Sequence, residues 1–205
     1  MNNNFKKIND YIVSKCYDLP IFKSEIKKNG VISLKKTKLD LFSFLTKTII
    51  SQQISDKVAE ITWEKYCLNI KEQNPRINDI PDQVFLKKVL DVVGLSKQKK
   101  NYIIGIYQSI ILNKININLL QKMNDEDFHR SLIKFRGIGP WTCNMTLIFF
   151  CNRLNIFLND DLVIKKVMSR LVRIEKKEFE IKERFSPFLS ILTLHLWKMS
   201  QRILQ

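Results

Sequence analysis

"RGIGPWTCNM", residues 136–145, holds two of the five glycines in a chain of 205 residues, one position apart and followed by proline and tryptophan. Glycine reaches backbone angles closed to other residues and lets a second backbone or a phosphate come close. In so Gly-poor a chain this has two physical readings: a tight turn between two helices, or a hairpin that binds an anion. Pro140 marks the start of the second helix, because proline favours the first helical position. The N–H groups of that first turn have no partner inside the helix. Together with those of Gly137 and Gly139 they form a donor cluster suited to phosphate, to which the Thr142 hydroxyl can add. Contacts of this type hold a protein on DNA without reading its sequence.

Outward from the hairpin the periodicity is helical in both directions. Leu41, Phe42, Leu45, Ile49 and Ile50 recur at helical spacing, and a break at "SQQIS" (51–55) follows. Ser55 then caps a helix whose expected apolar face is Val58, Ile61, Thr62 and Tyr66. Pro81 and Asp82 open another helix, which Gly94 closes. "SKQKKNYIIGIYQSII" (96–111) reads as a helix with its lysines in the first turn and a half. That is the wrong end for the helix dipole, so an outside anion is the expected reason for them. Asn124 and Asp127 resemble a capping box for a helix through Ile133.

Past the hairpin, residues 140–150 are apolar nearly all round and read as a core helix. Ile164, Val167, Met168 and Leu171 share one face of the next helix. Ser186 and Pro187 open a last helix with Phe188, Ile191, Leu192, His195 and Met199 on one side, where His195 reads as a hydrogen-bonded core residue. The only β-like stretch, near Val31–Leu34, is short, so the expected class is all-α.

Hydrophobic residues make up 45% and charged residues 27%, a globular balance. Lys and Arg number 35 against 20 acidic residues, a net charge of +15, which favours a polyanionic partner: nucleic acid ahead of an anionic membrane. AT-rich coding, visible in the many Asn, Ile and Lys residues, is a competing source of that charge. Cys16, Cys67, Cys143 and Cys151 form no C-x-x-C pair and have no His at ligand spacing, so reduced thiols in a cytoplasmic protein are expected and a zinc or iron–sulfur site is not. The N-terminus lacks the apolar stretch of a signal peptide, and the longest uncharged apolar run, "MTLIFFC" (145–151), is far too short to span a membrane.

The full stretch "GIGPWTCNMTLIFFCNRLNIFLNDDLVIKK" (137–166) resembles the hairpin and active-site segment of the helix-hairpin-helix DNA glycosylases, in particular the bacterial 3-methyladenine DNA glycosylase II group. That family follows a G-[IV]-G-x-W-T-A hairpin with a P-D-D-x-x-[IL]-K segment, and Asp161 stands at the family's distance, 20 residues (161 − 141) after Trp141. "IISQQISDKVAEITW" (49–63), "GLSKQKKNYI" (94–103) and "ERFSPFLSILTLHLW" (183–197) resemble three further family segments in the right order. The resemblance therefore runs from about Asp18 to Lys198. Three departures stand out: Cys143 for the usual Ala, Asn159 for a common Pro, and Met145 where the best-known members carry an aromatic base-stacking residue. The chain also lacks the N-terminal β-rich domain of longer members and resembles the compact short form.

The resemblance implies two helical subdomains flanking an active-site cleft: 36–150, with the hairpin at 134–142, and 1–35 joined to 151–205. It implies a monofunctional glycosylase that acts as a monomer on damaged double-stranded DNA in the cytoplasm, at the nucleoid, with no membrane partner. The reaction flips a base out of the duplex and needs an anion beside the positive charge that develops on the sugar. Asp161 takes that role, while Asp160 caps the following helix or orients its neighbour; helix capping by both is the plain structural alternative. Trp141, Trp197 and Met145 would line the base pocket, where an aromatic face attracts a cationic N-alkylated purine. Packing in the core is the alternative for both tryptophans. Gln53 matches the residue that fills the gap left by the flipped base, with helix-end capping as its alternative. Bifunctional members such as endonuclease III carry Lys at the position of Trp141, which cannot form a Schiff base. No cofactor is required, and a monovalent cation on the hairpin carbonyls is a further implication. Two other functions remain open: a catalytically silent helix-hairpin-helix DNA-binding protein, and a uracil or mismatch glycosylase of the same superfamily.

Overall fold

Short polar caps set most of the helix boundaries. The computed structural model describes residues 2–73 and 82–205, and among these every regular element is helical. The chain divides into two compact units, Met1–Lys36 with Leu147–Gln205, and Thr37–Thr146.

In the second unit, Asp40 accepts the Ser43 N–H and starts α3 (Leu41–Ser51), whose buried residues include Phe42, Leu45, Ile49 and Ile50. Ser55 Oγ accepts the Val58 N–H at the head of α4 (Asp56–Gln73). The buried face of α4 differs from the expected one: Ala59 and Tyr66 are buried, whereas Val58 and Ile61 are exposed. Trp63 decides the rotation, because its ring stacks on Tyr66 at 5.2 Å and sits on the same stripe as Ala59. Asp82 caps α5 (Gln83–Val92) through the Val84 and Phe85 N–H groups. Pro81, expected to share that start, lies outside the described residues. Ser96 caps α6 (Lys97–Ile111) through Lys99, Asn116 caps the single turn of α7 (Ile117–Leu120), and the Asn124–Asp127 box opens α8 (Asp125–Leu132). Leu86, Leu90, Ile103, Ile106, Phe128 and Leu132 are buried, with α4 and α6 packed on α3 and α5 packed on α4 and α6.

Two of the three lysines at the head of α6, Lys99 and Lys100, are a correction. Lys99 Nζ donates to the carbonyls of Ile50 and Gln52 at 2.7 Å, closing the C-terminal end of α3, and Lys100 pairs with Asp91 at 2.7 Å. An ammonium is favourable at the negative end of a helix, so the dipole that Lys99 serves is that of α3 rather than its own. Burial pushes the Lys99 pKa below the ordinary lysine value.

In the first unit, α1 (Asn2–Lys15) and α2 (Pro20–Asn29) pack with α10 (Leu162–Glu175), α11 (Ile181–Phe185) and α12 (Leu189–Ile203). Phe22 meets the rings of Phe179 and Phe185, and Ile164, Val167 and Leu171 are the buried stripe of α10. The last helix begins two residues later than the sequence suggests, with its N-cap at 188 rather than 186 (188 − 186). Ser186 closes α11, its hydroxyl donating to the Lys182 carbonyl, and Phe188 takes the N-cap position of α12.

His195 is fully buried on α12 and hydrogen-bonded on both ring nitrogens. Asn29 Nδ2 donates to Nδ1 at 3.1 Å, which fixes the tautomer, so Nε2 donates to Asn9 Oδ1 at 2.8 Å. Burial pushes its pKa down to about 4 from 6.5, so the folded chain holds it neutral. The unfolded chain takes up this proton first as pH falls. Stability contributed by neutral His195 is therefore complete above pH 6.5 and lost progressively down to about pH 4. Unfolding by urea at pH 7 and pH 5 should show a loss on the order of 2 kcal/mol, within a full span of about 3 kcal/mol, that His195→Gln abolishes. Equal pH dependence in the variant would remove His195 from this role.

Candidate active site

The hairpin is built where α8 ends. Ile138 N–H donates to the Phe135 carbonyl at 3.1 Å, and the turn passes through Gly137 at φ +91°. A side chain there is excluded twice: the backbone angle disfavours it, and a Cβ would lie 2.6 Å from the Tyr102 ring. Gly139 is different. Its backbone is extended, a Cβ on it meets nothing within 4 Å, and it caps α9 (Pro140–Met145) without a side chain, with Pro140 in the first turn. The surface at Gly139 is thus left low where a ligand would approach the head of α9.

A chain of side chains ties this hairpin to the end of α3. Gln52 Nε2 donates to the Gly137 carbonyl at 2.9 Å and to Thr142 Oγ1 at 3.1 Å, while the Gln52 carbonyl accepts from Lys99. Thr142 is accordingly a correction: it is 1% exposed and its hydroxyl is engaged from inside the hairpin, so it supports the turn and does not face a phosphate. Gln53, one residue on, is exposed and held at φ +58°. A non-glycine residue in that region costs on the order of 1 kcal/mol and persists where neighbours fix it, here Gln52 and Lys99. Phe135 and Gly137, two carbonyls available to an ion at the hairpin, already accept protein N–H groups, and among the described residues no group of three or more His, Cys, Asp or Glu could hold a metal.

The first unit supplies the carboxylate. The loop after residue 150 is fastened by Ser190 of α12: its hydroxyl donates to the Arg153 carbonyl at 2.7 Å and accepts the Ile156 N–H at 3.1 Å. The loop delivers Asp161 to the head of α10, where Oδ1 accepts the Ile164 N–H at 2.9 Å and the Trp197 indole N–H at 3.2 Å. Asp161 is buried at 9% exposure. It, and not Asp160, is the helix cap; Asp160 lies outside on the surface, 3.9 Å from Lys165. The carboxylate thus sits at the head of α10 with two donors fixed on Oδ1. Trp197 is half-buried and its ring stacks on Phe149 at 6.1 Å and 9°.

Phe149 belongs to a feature absent from the sequence reading. The helix expected over 140–150 is α-helical only to Met145 and continues as a π-helical turn, Thr146–Phe150. At the junction the Thr146 hydroxyl takes the Thr142 carbonyl at 2.7 Å, a local bond that competes with the regular ladder. Trp141 and Met145 are both half-buried on α9.

Residues 46–188 match the HhH-GPD superfamily base excision DNA repair protein model. The chain belongs to the HhH-GPD superfamily. It is 28% identical over 171 residues to DNA-3-methyladenine glycosylase 1 of Schizosaccharomyces pombe, covering 80% of this chain and 74% of that protein. It is 27% identical over 167 residues to YfjP of Bacillus subtilis, covering 77% of this chain but only 58% of the length of that relative. The structure of the Schizosaccharomyces pombe glycosylase Mag1 in complex with abasic DNA superposes with a TM-score of 0.77 over 95% of this chain and 97% of that one, at 21% identity, which carries the fold.

Within this HhH-GPD chain, the sequence singles out Asp161, Trp197 and the glycines as candidates but carries no signal for the contacts of Gln52, Lys99, Ser190 and Phe149. Each acts through a contact between segments distant in sequence, for which spacing gives no signal. The Trp197 indole N–H holds Asp161 Oδ1. Trp197→Phe keeps a ring on Phe149 and removes the indole donor. Base release is expected to slow about tenfold, with Asp161→Asn then adding less than it does in the wild type. Fully additive effects in the double variant would show that the two side chains act independently.

Proposed function

We propose that this HhH-GPD chain is a monofunctional DNA glycosylase that hydrolyses the N-glycosidic bond of alkylated purines, 3-methyladenine above all, in duplex DNA. The observation that carries the reading is the Asp161 carboxylate, fixed by the Ile164 and Trp197 N–H groups 20 residues beyond Trp141 (161 − 141). Gly137 and Gly139 hold the phosphate backbone, and exposed Gln53 fills the space that the flipped nucleotide leaves. The aromatic faces of Trp141 and Trp197, with the flexible Met145 side chain, receive the base.

An N-alkylated purine carries positive charge before it leaves. As the bond from the base nitrogen to the sugar C1′ breaks, its electron pair stays with the base, which departs neutral. The charge passes to the sugar, where the Asp161 carboxylate stabilises it. Water then bonds to C1′ and gives up a proton to the carboxylate or to solvent. A base that leaves neutral needs no strong acid, so one carboxylate suffices. Trp141 has no amine for a Schiff base, and the product is an intact abasic strand. No step passes through a metal ion. Cys16 and Cys143, with pKa values pushed up to about 12 by burial, suit a reduced cytoplasmic setting, and we assign the working form as a monomer.

Incubation with methylated, deaminated and mismatched duplexes tests the reading. Release of 3-methyladenine is expected to exceed release of uracil from a U·G duplex by a wide margin, with 7-methylguanine between them because Met145 offers a looser face than an aromatic ring. The reverse ranking would move the chain to the uracil and mismatch branch. Binding without release of any base would make it a silent binding module.

A further inference from the structure

Gly105 lies in the interior of α6, where glycine is the poorest ordinary residue for a helix, and no packing contact calls for it: a Cβ built there meets no atom within 4 Å. It is exposed, and it lies in a row with Lys97, Asn101 and Ser109 at four-residue spacing along one face of α6. Facing that row are Lys134 and Arg136, on the segment that enters the hairpin. Between the two walls is an open cleft of about 900 Å³.

Its lining contains three cations, Lys97, Lys134 and Arg136, and no carboxylate. None of the three is ion-paired among the described residues. A second cleft of about 480 Å³, also without a carboxylate, continues from Tyr102 and Gly137 to Gln53. A cationic groove with a bare helix for its floor thus runs from the exposed Gln53 past the hairpin and along α6. At Gly105 itself no side chain stands between the helix backbone and a chain lying against it.

We propose that this groove seats the sugar–phosphate backbone of one DNA strand beyond the hairpin, with Gly105 as its floor and Lys97, Lys134 and Arg136 as its phosphate contacts. The row from residue 97 to 109 is roughly 18 Å long at 1.5 Å per residue, long enough to follow several successive phosphates of one strand. The groove therefore lengthens the footprint on one side of the lesion only. It rests on the DNA-binding reading above but makes no use of the catalytic carboxylate.

Two duplexes test it, each with an abasic site near one end, so that the long arm extends to the 3′ side in one and to the 5′ side in the other. Gly105→Gln is expected to fold with a thermal midpoint at or above that of the wild type, since Gln is the better helix former. Its affinity should fall about tenfold, the worth of one charge-assisted phosphate contact, on one of the two duplexes and stay unchanged on the other. Lys97→Gln combined with Lys134→Gln should lower the slope of log affinity against log salt by about two on that same duplex. Unchanged affinity on both duplexes, or an equal loss on both, would overturn the groove while wild-type binding leaves the DNA-binding reading intact. Failure of the wild type to bind either duplex would overturn that reading and the groove with it.

Discussion

Asp161→Asn is expected to lower base release by about 10³-fold while leaving the fold and the affinity for DNA near those of the wild type. Asparagine is as good a helix cap as aspartate, and its carbonyl oxygen can still accept the Ile164 and Trp197 N–H groups. The substitution thus removes the negative charge and nearly nothing else. Asp161→Ala would confuse two effects, because loss of the cap alone costs about 1 kcal/mol. Asp160→Asn provides the control: that side chain is exposed and only 3.9 Å from Lys165, so its removal should change release less than about twofold. Single-turnover rates, with thermal midpoints for both variants, check this. An Asp161→Asn protein that keeps most of its activity would mean that the carboxylate is a helix cap alone.

Gly137→Val is expected to weaken binding to all DNA sequences alike, by about 100-fold, and to cost about 2–4 kcal/mol of stability. Valine resists φ +91°, and its Cβ would meet the Tyr102 ring, which Gln98 holds in place through the phenolic oxygen at 2.5 Å. Relief requires the turn to move, and with it the Gly137 carbonyl that Gln52 grips. Gly139→Ala separates folding from binding. Its Cβ has open space and an ordinary backbone angle, so stability should hold while the added methyl group stands where a phosphate approaches. Denaturant midpoints and affinities for three unrelated duplexes read both effects. A change in sequence preference would mean that the hairpin reads bases, contrary to this account.

What the sequence showed plainly was whatever depends on near neighbours. Asp82, Ser96 and Asn124 announce helix starts because a cap and the N–H it serves are two or three residues apart. The hairpin and Asp161 were legible because the family pattern fixes residue types at fixed distances. What stayed hidden depends on partners across the fold. The Lys99 charge looked misplaced on its own helix because its acceptors, the carbonyls of Ile50 and Gln52, belong to another. Adjacent Gln52 and Gln53 differ in backbone angle, not in type, so only the fold shows that one turns in to the hairpin and the other out. The choice between Asp160 and Asp161 as cap had the same character: one residue of phase decides which carboxylate meets the Ile164 N–H and the Trp197 indole.

The most direct test of the central claim is product analysis in a single turnover on duplex DNA bearing one 3-methyladenine, with sodium borohydride present in a parallel reaction. The account predicts one free base for each intact abasic strand, no nick before alkaline treatment, and no protein–DNA adduct with borohydride. A strand nicked in step with base release, or a covalent adduct trapped by borohydride, would contradict it, since a chain with Trp141 at that hairpin position has no amine there to form one.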